Sequence, residues 1–180
     1  MQKLSTKTQK LCLAALLVAL GIILPYVCHI FGSGLGKMLL PLHLPVITAG
    51  LLLGPLFALL VAVLSISLSF LLTGMQMPSA VMFPFMFVEL CCYGLISGLF
   101  ARMVNKNKFF SYIGVAGTQI FGRVLYAGIL AFVIFALPVP TAPALTTVYV
   151  ALVAGVPGII LQLAVVPVLV ILAKKVMHFD

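Results

Sequence analysis

Across residues 11–101 this chain carries only two charged side chains, Lys37 and Glu89. A stretch of that length cannot present a solvated surface with so little charge. The whole chain of 180 residues is 64% hydrophobic and 7% charged, where an ordinary soluble domain carries roughly 25% charged residues. Its mean hydropathy is +1.37. The apolar runs are long enough to cross a bilayer, and the length suits one bundle over residues 1–180. The reading is an all-α membrane protein with six transmembrane helices. The first ten residues, MQKLSTKTQK, resemble the basic start of a signal peptide. The apolar run behind them is too long and lacks a clear small-residue cleavage site, so it is read as a retained first span.

The spans are expected at about residues 11–30, 38–53, 56–72, 80–101, 109–137 and 145–173. The second is short for a crossing and unusual in composition. Residues 40–55 read LPLHLPVITAGLLLGP, with Pro41, Pro45, Pro55, Gly50 and Gly54 interrupting an apolar run around His43. Irregular backbone at membrane depth survives only where protein or a water-filled cavity surrounds it. This stretch is therefore expected to wall a site inside the membrane and to leave through a tight Gly-Pro turn. Bends are expected in the last span at Pro157 and Pro167.

Six spans place both termini on one side. Lys3, Lys7, Lys10, Arg102, Lys106, Lys108, Lys174 and Lys175 share that side, and Lys37 falls on the other. Basic loops stay cytoplasmic, so both ends are expected inside and the loops at 31–37, 73–79 and 138–143 outside. The net charge of +8 thus belongs to span ends, and nucleic acid is not expected as a partner. Cys12, Cys28, Cys91 and Cys92 lie in apolar runs without metal-ligand spacing and read as small buried side chains. No metal site is expected.

Glu89 and Arg123 are the charges far from any span end. At ~1.5 Å rise per residue, Glu89 lies about 14 Å below the outer start of its span, and Arg123 about 21 Å above the inner start of its own. In a hydrocarbon core ~30 Å thick the two depths meet. Charges at such depth face the bundle interior and are paired or line a pathway. Two readings are open: a structural ion pair joining spans 4 and 5, or groups facing a ligand. A planar guanidinium suits a ligand carboxylate or phosphate. Tyr93 follows Glu89 by four residues and Tyr126 follows Arg123 by three, spacings that put each tyrosine on the face of its charge. Gln119, four before Arg123, extends that face, and Gln162 in span 6 adds a further polar group. His29 and His43 bracket the first outer loop. Gly94 and Gly98 in span 4, and Ala15 and Ala19 in span 1, are small-xxx-small pairs that let helices approach closely. There is no P-loop, no HExxH and no Ser/His/Asp set, so no catalytic residue is assigned.

Taken together, these features resemble the substrate-binding S components of energy-coupling factor (ECF) vitamin transporters. The resemblance rests on the six spans, the pair Ala15 and Ala19, the proline-bearing second span ending in Leu-Leu-Gly-Pro, the sequence PFMFVELCCYGLISGLF in span 4 and GRVLYAG in span 5. It implies an S component in a prokaryotic plasma membrane that captures a vitamin or precursor from outside with high affinity. It implies a membrane coupling (T) protein and two ATPase subunits as partners, with ATP and Mg bound by those subunits and no cofactor in this chain. It implies that the subunit topples in the membrane to deliver its cargo. The lid would be at about residues 31–43, the coupling-protein contact at Ala15 and Ala19, and the binding residues Glu89, Tyr93, Gln119, Arg123 and Tyr126; His43, beside the first outer loop, is a further candidate ligand contact from its position in the sequence. An intramembrane enzyme using Glu89 and His43, and a structural subunit of another complex, are the competing functions. Arg123 favours a ligand with a carboxylate or phosphate, and Glu89 one that also offers hydroxyl or amide donors. Pantothenate combines these, while cobalamin, pyridoxine and hydroxymethylpyrimidine remain open.

Overall fold

A computed structural model describes residues 7–30, 38–74, 78, 80–104, 109–136 and 153–177. Among them are six α-helices and no strand: α1 Lys7–Ile30, α2 His43–Leu53, α3 Pro55–Leu72, α4 Phe83–Val104, α5 Phe110–Ala136 and α6 Val156–Met177. Five are long and apolar enough to cross a membrane, and α2 is the shorter sixth. With 11 residues, α2 reaches about 16 Å at ~1.5 Å per residue, half of a ~30 Å core. The first loop at 31–37, most of the loop at 73–79, the loop at 138–143 and the expected start of span 6 at 145–152 lie outside the described residues.

Local chemistry explains where the helices begin and end. Gly54 has φ 92°, a conformation that glycine adopts without steric cost. Its N–H donates to the Gly50 carbonyl at 3.0 Å and closes α2, while its own carbonyl accepts from Ala58 at 3.1 Å and opens α3. Pro55 occupies the first turn of α3, where a missing N–H costs nothing. Pro84 sits likewise in the first turn of α4, which starts at Phe83 rather than at residue 80. In α1 the helix starts at Lys7, one turn before the expected span.

The short helix is the centre of the bundle. Eight of its eleven residues are buried: His43, Pro45, Val46, Ile47, Thr48, Ala49, Gly50 and Leu51. A helix apolar on all faces belongs in an interior, and α2 packs against each of the other five. Those five form an arc in the order α1, α3, α4, α5, α6, each packed on the next.

Glycines set the tightest seams. A Cβ on Gly50 would overlap Ser97 and come within 2.9 Å of the Gly98 nitrogen, so α2 and α4 meet backbone to backbone. A Cβ on Gly98 would collide with Pro55, and one on Gly94 would lie 3.2 Å from the Ala58 backbone. The Gly94 and Gly98 pair is thus the face of α4 that receives α2 and α3. Hydroxyls near these seams bond to the preceding turn: Ser97 Oγ to the Gly94 carbonyl at 3.1 Å and Thr48 Oγ1 to the Leu44 carbonyl at 2.8 Å. Such bonds satisfy a buried hydroxyl without a neighbouring helix. On α1, Ala14, Leu17 and Val18 face the core, whereas Ala15 and Ala19 are exposed among Leu16, Leu20 and Ile23.

Candidate ligand-binding site

The site begins where α2 begins. Leu40 has φ 48°, the one positive φ of a non-glycine residue among those described. Its carbonyl accepts from the His43 N–H at 3.1 Å. That reversal turns the His43 ring into the bundle, where it is 2% exposed. His43 Nε2 lies 3.6 Å from Glu89 Oε1, two turns into α4. One turn later the fully buried Tyr93 sets its ring edge-on to the imidazole, with centroids 4.7 Å apart at 89°.

Helix α5 closes the cluster. Gly122 lets its backbone lie against the Tyr93 ring, which a Cβ would meet at 3.1 Å. The next residue, Arg123, is 6% exposed. Its Nε and Nη2 form no hydrogen bond. Among the described residues Glu89 pairs with His43 and makes no direct ion pair with Arg123. One turn before Arg123, the buried Gln119 donates through Nε2 to Gln162 Oε1 on α6. Gln162 Nε2 donates in turn to the Leu40 carbonyl at 3.4 Å.

What distinguishes this cluster is hydrogen-bonding capacity left over. Nine buried side-chain polar atoms among the described residues lack a hydrogen-bond partner, and six belong to four residues here. They are His43 Nδ1 and Nε2, Tyr93 Oη, Gln119 Oε1, and Arg123 Nε and Nη2. The others are single atoms on Gln9, Ser65 and Ser111. A buried polar atom without a partner costs ~1–3 kcal/mol, more when charged, so native proteins hold few of them and rarely in one place. The groups span three helices and offer donors at Arg123, an acceptor at Gln119 and amphoteric groups at His43 and Tyr93. The arrangement can grip a small polar molecule from several sides.

A cleft of about 370 Å³ adjoins the cluster between α4 and α5. Its lining includes Pro84, Phe85, Val88, Tyr126, Leu130 and Val133. Val88 immediately precedes Glu89 on α4, and Tyr126 lies about one turn beyond Arg123 on α5, so the apolar cleft is lined by residues close in sequence to the polar groups of both helices. The structure therefore brings together His43, Glu89, Tyr93, Gln119 and Arg123. It sets the half-buried Tyr126 on the wall of the cleft instead, and leaves Ala15 and Ala19 on the outer face of α1, away from the cluster. The His29 side chain lies outside the described residues. Gln162 joins the cluster although its sequence position marked it only as one more polar group. The Leu40 carbonyl joins it through backbone geometry that no side chain announces.

Comparison with protein families finds that residues 9–170 match the family model of the ECF transporter, substrate-specific component. That interval contains nearly all of the six helices. Neither the curated proteins nor the solved structures yielded a match.

Proposed function

We propose, from the premise that this chain belongs to the ECF transporter substrate-specific component family, that the polar cluster of α2, α4, α5 and α6 is its substrate site. Membership makes the chain a substrate-specific subunit of a transporter in the cell membrane, a multi-pass protein and not an enzyme. The observation that carries the site is the set of six unpartnered polar atoms on His43, Tyr93, Gln119 and Arg123. A resident structural network would satisfy its own members. This one holds its capacity open, as a site does that is completed by a ligand.

In this reading the ligand is a water-soluble vitamin or precursor taken from outside. Its anionic end meets Arg123, its hydroxyl or amide donors meet Glu89 and Gln119, and its remaining body lies in the cleft beside Tyr126. Pantothenate has that distribution of groups and is the favoured substrate. The strut reading, in which Glu89 and Arg123 merely lock two helices, finds no direct pair to rest on. Both termini are cytoplasmic, following the basic side of the chain. A membrane coupling protein and two ATPase subunits complete the importer. ATP and Mg are bound by those partners, and delivery follows a toppling of the loaded subunit. Ala15 and Ala19 form the coupling face, supported by their exposure on α1.

The test is a titration of right-side-out membrane vesicles and of the purified protein with pantothenate, pyridoxine, hydroxymethylpyrimidine and cobalamin. Pantothenate is expected to saturate a single class of site in both. Absence of binding by all four compounds removes the substrate assignment, and binding only after the vesicles are opened reverses the orientation. The coupling face has its own measurement. Ala15→Leu and Ala19→Leu are expected to leave pantothenate binding by the isolated subunit unchanged, because neither position touches the core, while uptake by cells falls as close helix approach is lost. Unimpaired uptake by both variants removes the coupling assignment.

A further inference from the structure

The two glutamines near Arg123 form a relay whose direction is fixed at one end. A backbone carbonyl only accepts. At the Leu40 carbonyl the approaching atom of Gln162 must therefore be Nε2, at 3.4 Å. This leaves Gln162 Oε1 as the acceptor for the next member, and Gln119 must present Nε2 to it. Gln119 Oε1 is then left over, buried and without a partner. Turning either amide over would set two acceptors against each other in a low-dielectric interior, where such a mismatch is expensive. Gln162 itself is fully buried, and no water-exposed alternative competes for its bonds.

We propose that Gln162 is a positioning residue that fixes the Gln119 amide so that the site presents a hydrogen-bond acceptor one helical turn from the Arg123 donors. This rests on the polar cluster being the substrate site. It adds a rule for the substrate: an acceptor or anionic group for Arg123, and an N–H or O–H donor about 5–6 Å away for Gln119 Oε1, the spacing of i,i+4 neighbours on a helix. A molecule that offers only acceptors to this face leaves Gln119 Oε1 unsatisfied and is rejected. The same residue holds the start of α2. Its second bond anchors the left-handed turn at Leu40 that aims His43 inward. Gly158, four residues earlier on α6, clears the way, since a Cβ there would lie 2.6 Å from the Met38 carbonyl oxygen. Helix α6 thus sets both the polarity of α5 at the site and the position of the histidine that faces it.

The relay is tested first without substrate. The chain has five glutamines, Gln2, Gln9, Gln76, Gln119 and Gln162. Protein labelled with ¹⁵N in glutamine side chains gives one amide pair for each. Gln162→Met is expected to remove its own pair and to shift one other, that of Gln119. Gln119→Met, which spares the bond to Leu40, is expected to shift the Gln162 pair and so reports from the other end should the first variant fold poorly. Spectra in which neither variant moves the remaining partner overturn the relay. The acceptor role is then read from selectivity, which a merely structural residue would not alter. In the wild-type protein, replacing pantothenate by its N-methylated amide is expected to weaken binding about tenfold or more. The gap should close to within about twofold in Gln119→Met and narrow in Gln162→Met, where the freed amide turns to suit either compound. A gap unchanged in both variants overturns the acceptor role. If the wild-type protein binds neither compound, the pantothenate assignment falls, while the spectra still decide the relay.

Discussion

At Gly94 and Gly98, α4 presses its backbone against α3 and α2, and at Glu89 and Tyr93, on the N-terminal side of those glycines, the same helix lines a cluster of polar groups that lack partners. The glycine half is close-packed, and its Ser97 and Thr48 hydroxyls bond within their own helices. The polar half holds a histidine, a tyrosine, a glutamine and an arginine that do not complete their bonds. Both halves are buried to a similar degree, so burial does not separate scaffold from site. The gathering of unsatisfied groups in one place does. The contrast also assigns the energetic load: the seam of α2, α3 and α4 holds the helices in place, and the cluster spends some of that stability on capacity for a ligand.

The largest effect is expected from breaking the seam. In Gly50→Leu the new side chain meets Ser97 and the backbone of Gly98, and a backbone cannot step aside as a flexible side chain does. Overpacking of a tight core costs ~1–3 kcal/mol and sometimes more, and this site belongs at the upper end. The variant should lose its monodisperse peak in size-exclusion chromatography. Gly128 has nothing within 4 Å of its would-be Cβ, so Gly128→Ala should keep the peak and gain up to ~1 kcal/mol from helix propensity. Equal behaviour of the two variants would mean that the seam is not the scaffold.

Next in size is the charge of the polar half. Arg123→Met should weaken pantothenate binding by ~1.5–3 kcal/mol, the worth of a hydrogen bond to a charged group, with little loss in melting temperature. Glu89→Gln should cost less affinity, because the amide keeps a carbonyl oxygen that still accepts a ligand donor. The double variant should bind no better than Arg123→Met. Melts and titrations of the three proteins decide between site and strut: unchanged affinity, with stability lost in the singles and regained in the double, would make the pair structural.

Hydropathy made the helices legible, and Gly54–Pro55 marked the turn between α2 and α3. The central place of α2 was not legible, because an apolar run shows that a helix is buried without naming its neighbours. In the cluster, the four-residue spacings from Glu89 to Tyr93 and from Gln119 to Arg123 anticipated shared faces. The three-residue step from Arg123 to Tyr126 was a weaker guide. At ~3.6 residues per turn it swings about 60° back around the helix, and Tyr126 lies on the cleft wall. The meeting of His43 with Glu89 depends on the left-handed backbone of Leu40, a leucine before proline with no side-chain sign of that conformation. Gln162 is one glutamine in an apolar helix until α5 and the Leu40 carbonyl are placed beside it.

The smallest effect compares two hydroxyls of the same status, one in the cluster and one outside it. Ser65 Oγ sits in the seam of α1 and α3, where a Cβ on Gly21 would lie 2.8 Å from the Ser65 Cβ. Tyr93 Oη sits in the cluster, and both oxygens are buried without a partner. Removing a desolvated, unsatisfied hydroxyl relieves a cost, so Ser65→Ala and Tyr93→Phe should each melt at the wild-type temperature or slightly above it. Their binding should part. Ser65→Ala should titrate with pantothenate as the wild type does, since nothing in the seam meets a ligand. Tyr93→Phe should lose ~0.5–1.5 kcal/mol of affinity, the net worth of one neutral hydrogen bond. A Tyr93→Phe protein that is more stable and binds more weakly is the signature of a polar group kept unsatisfied for its ligand. Should it bind as well as the wild type, the tyrosine hydroxyl would be an imperfection of packing like that of Ser65, and the site would shrink toward Arg123 and Gln119 on α5.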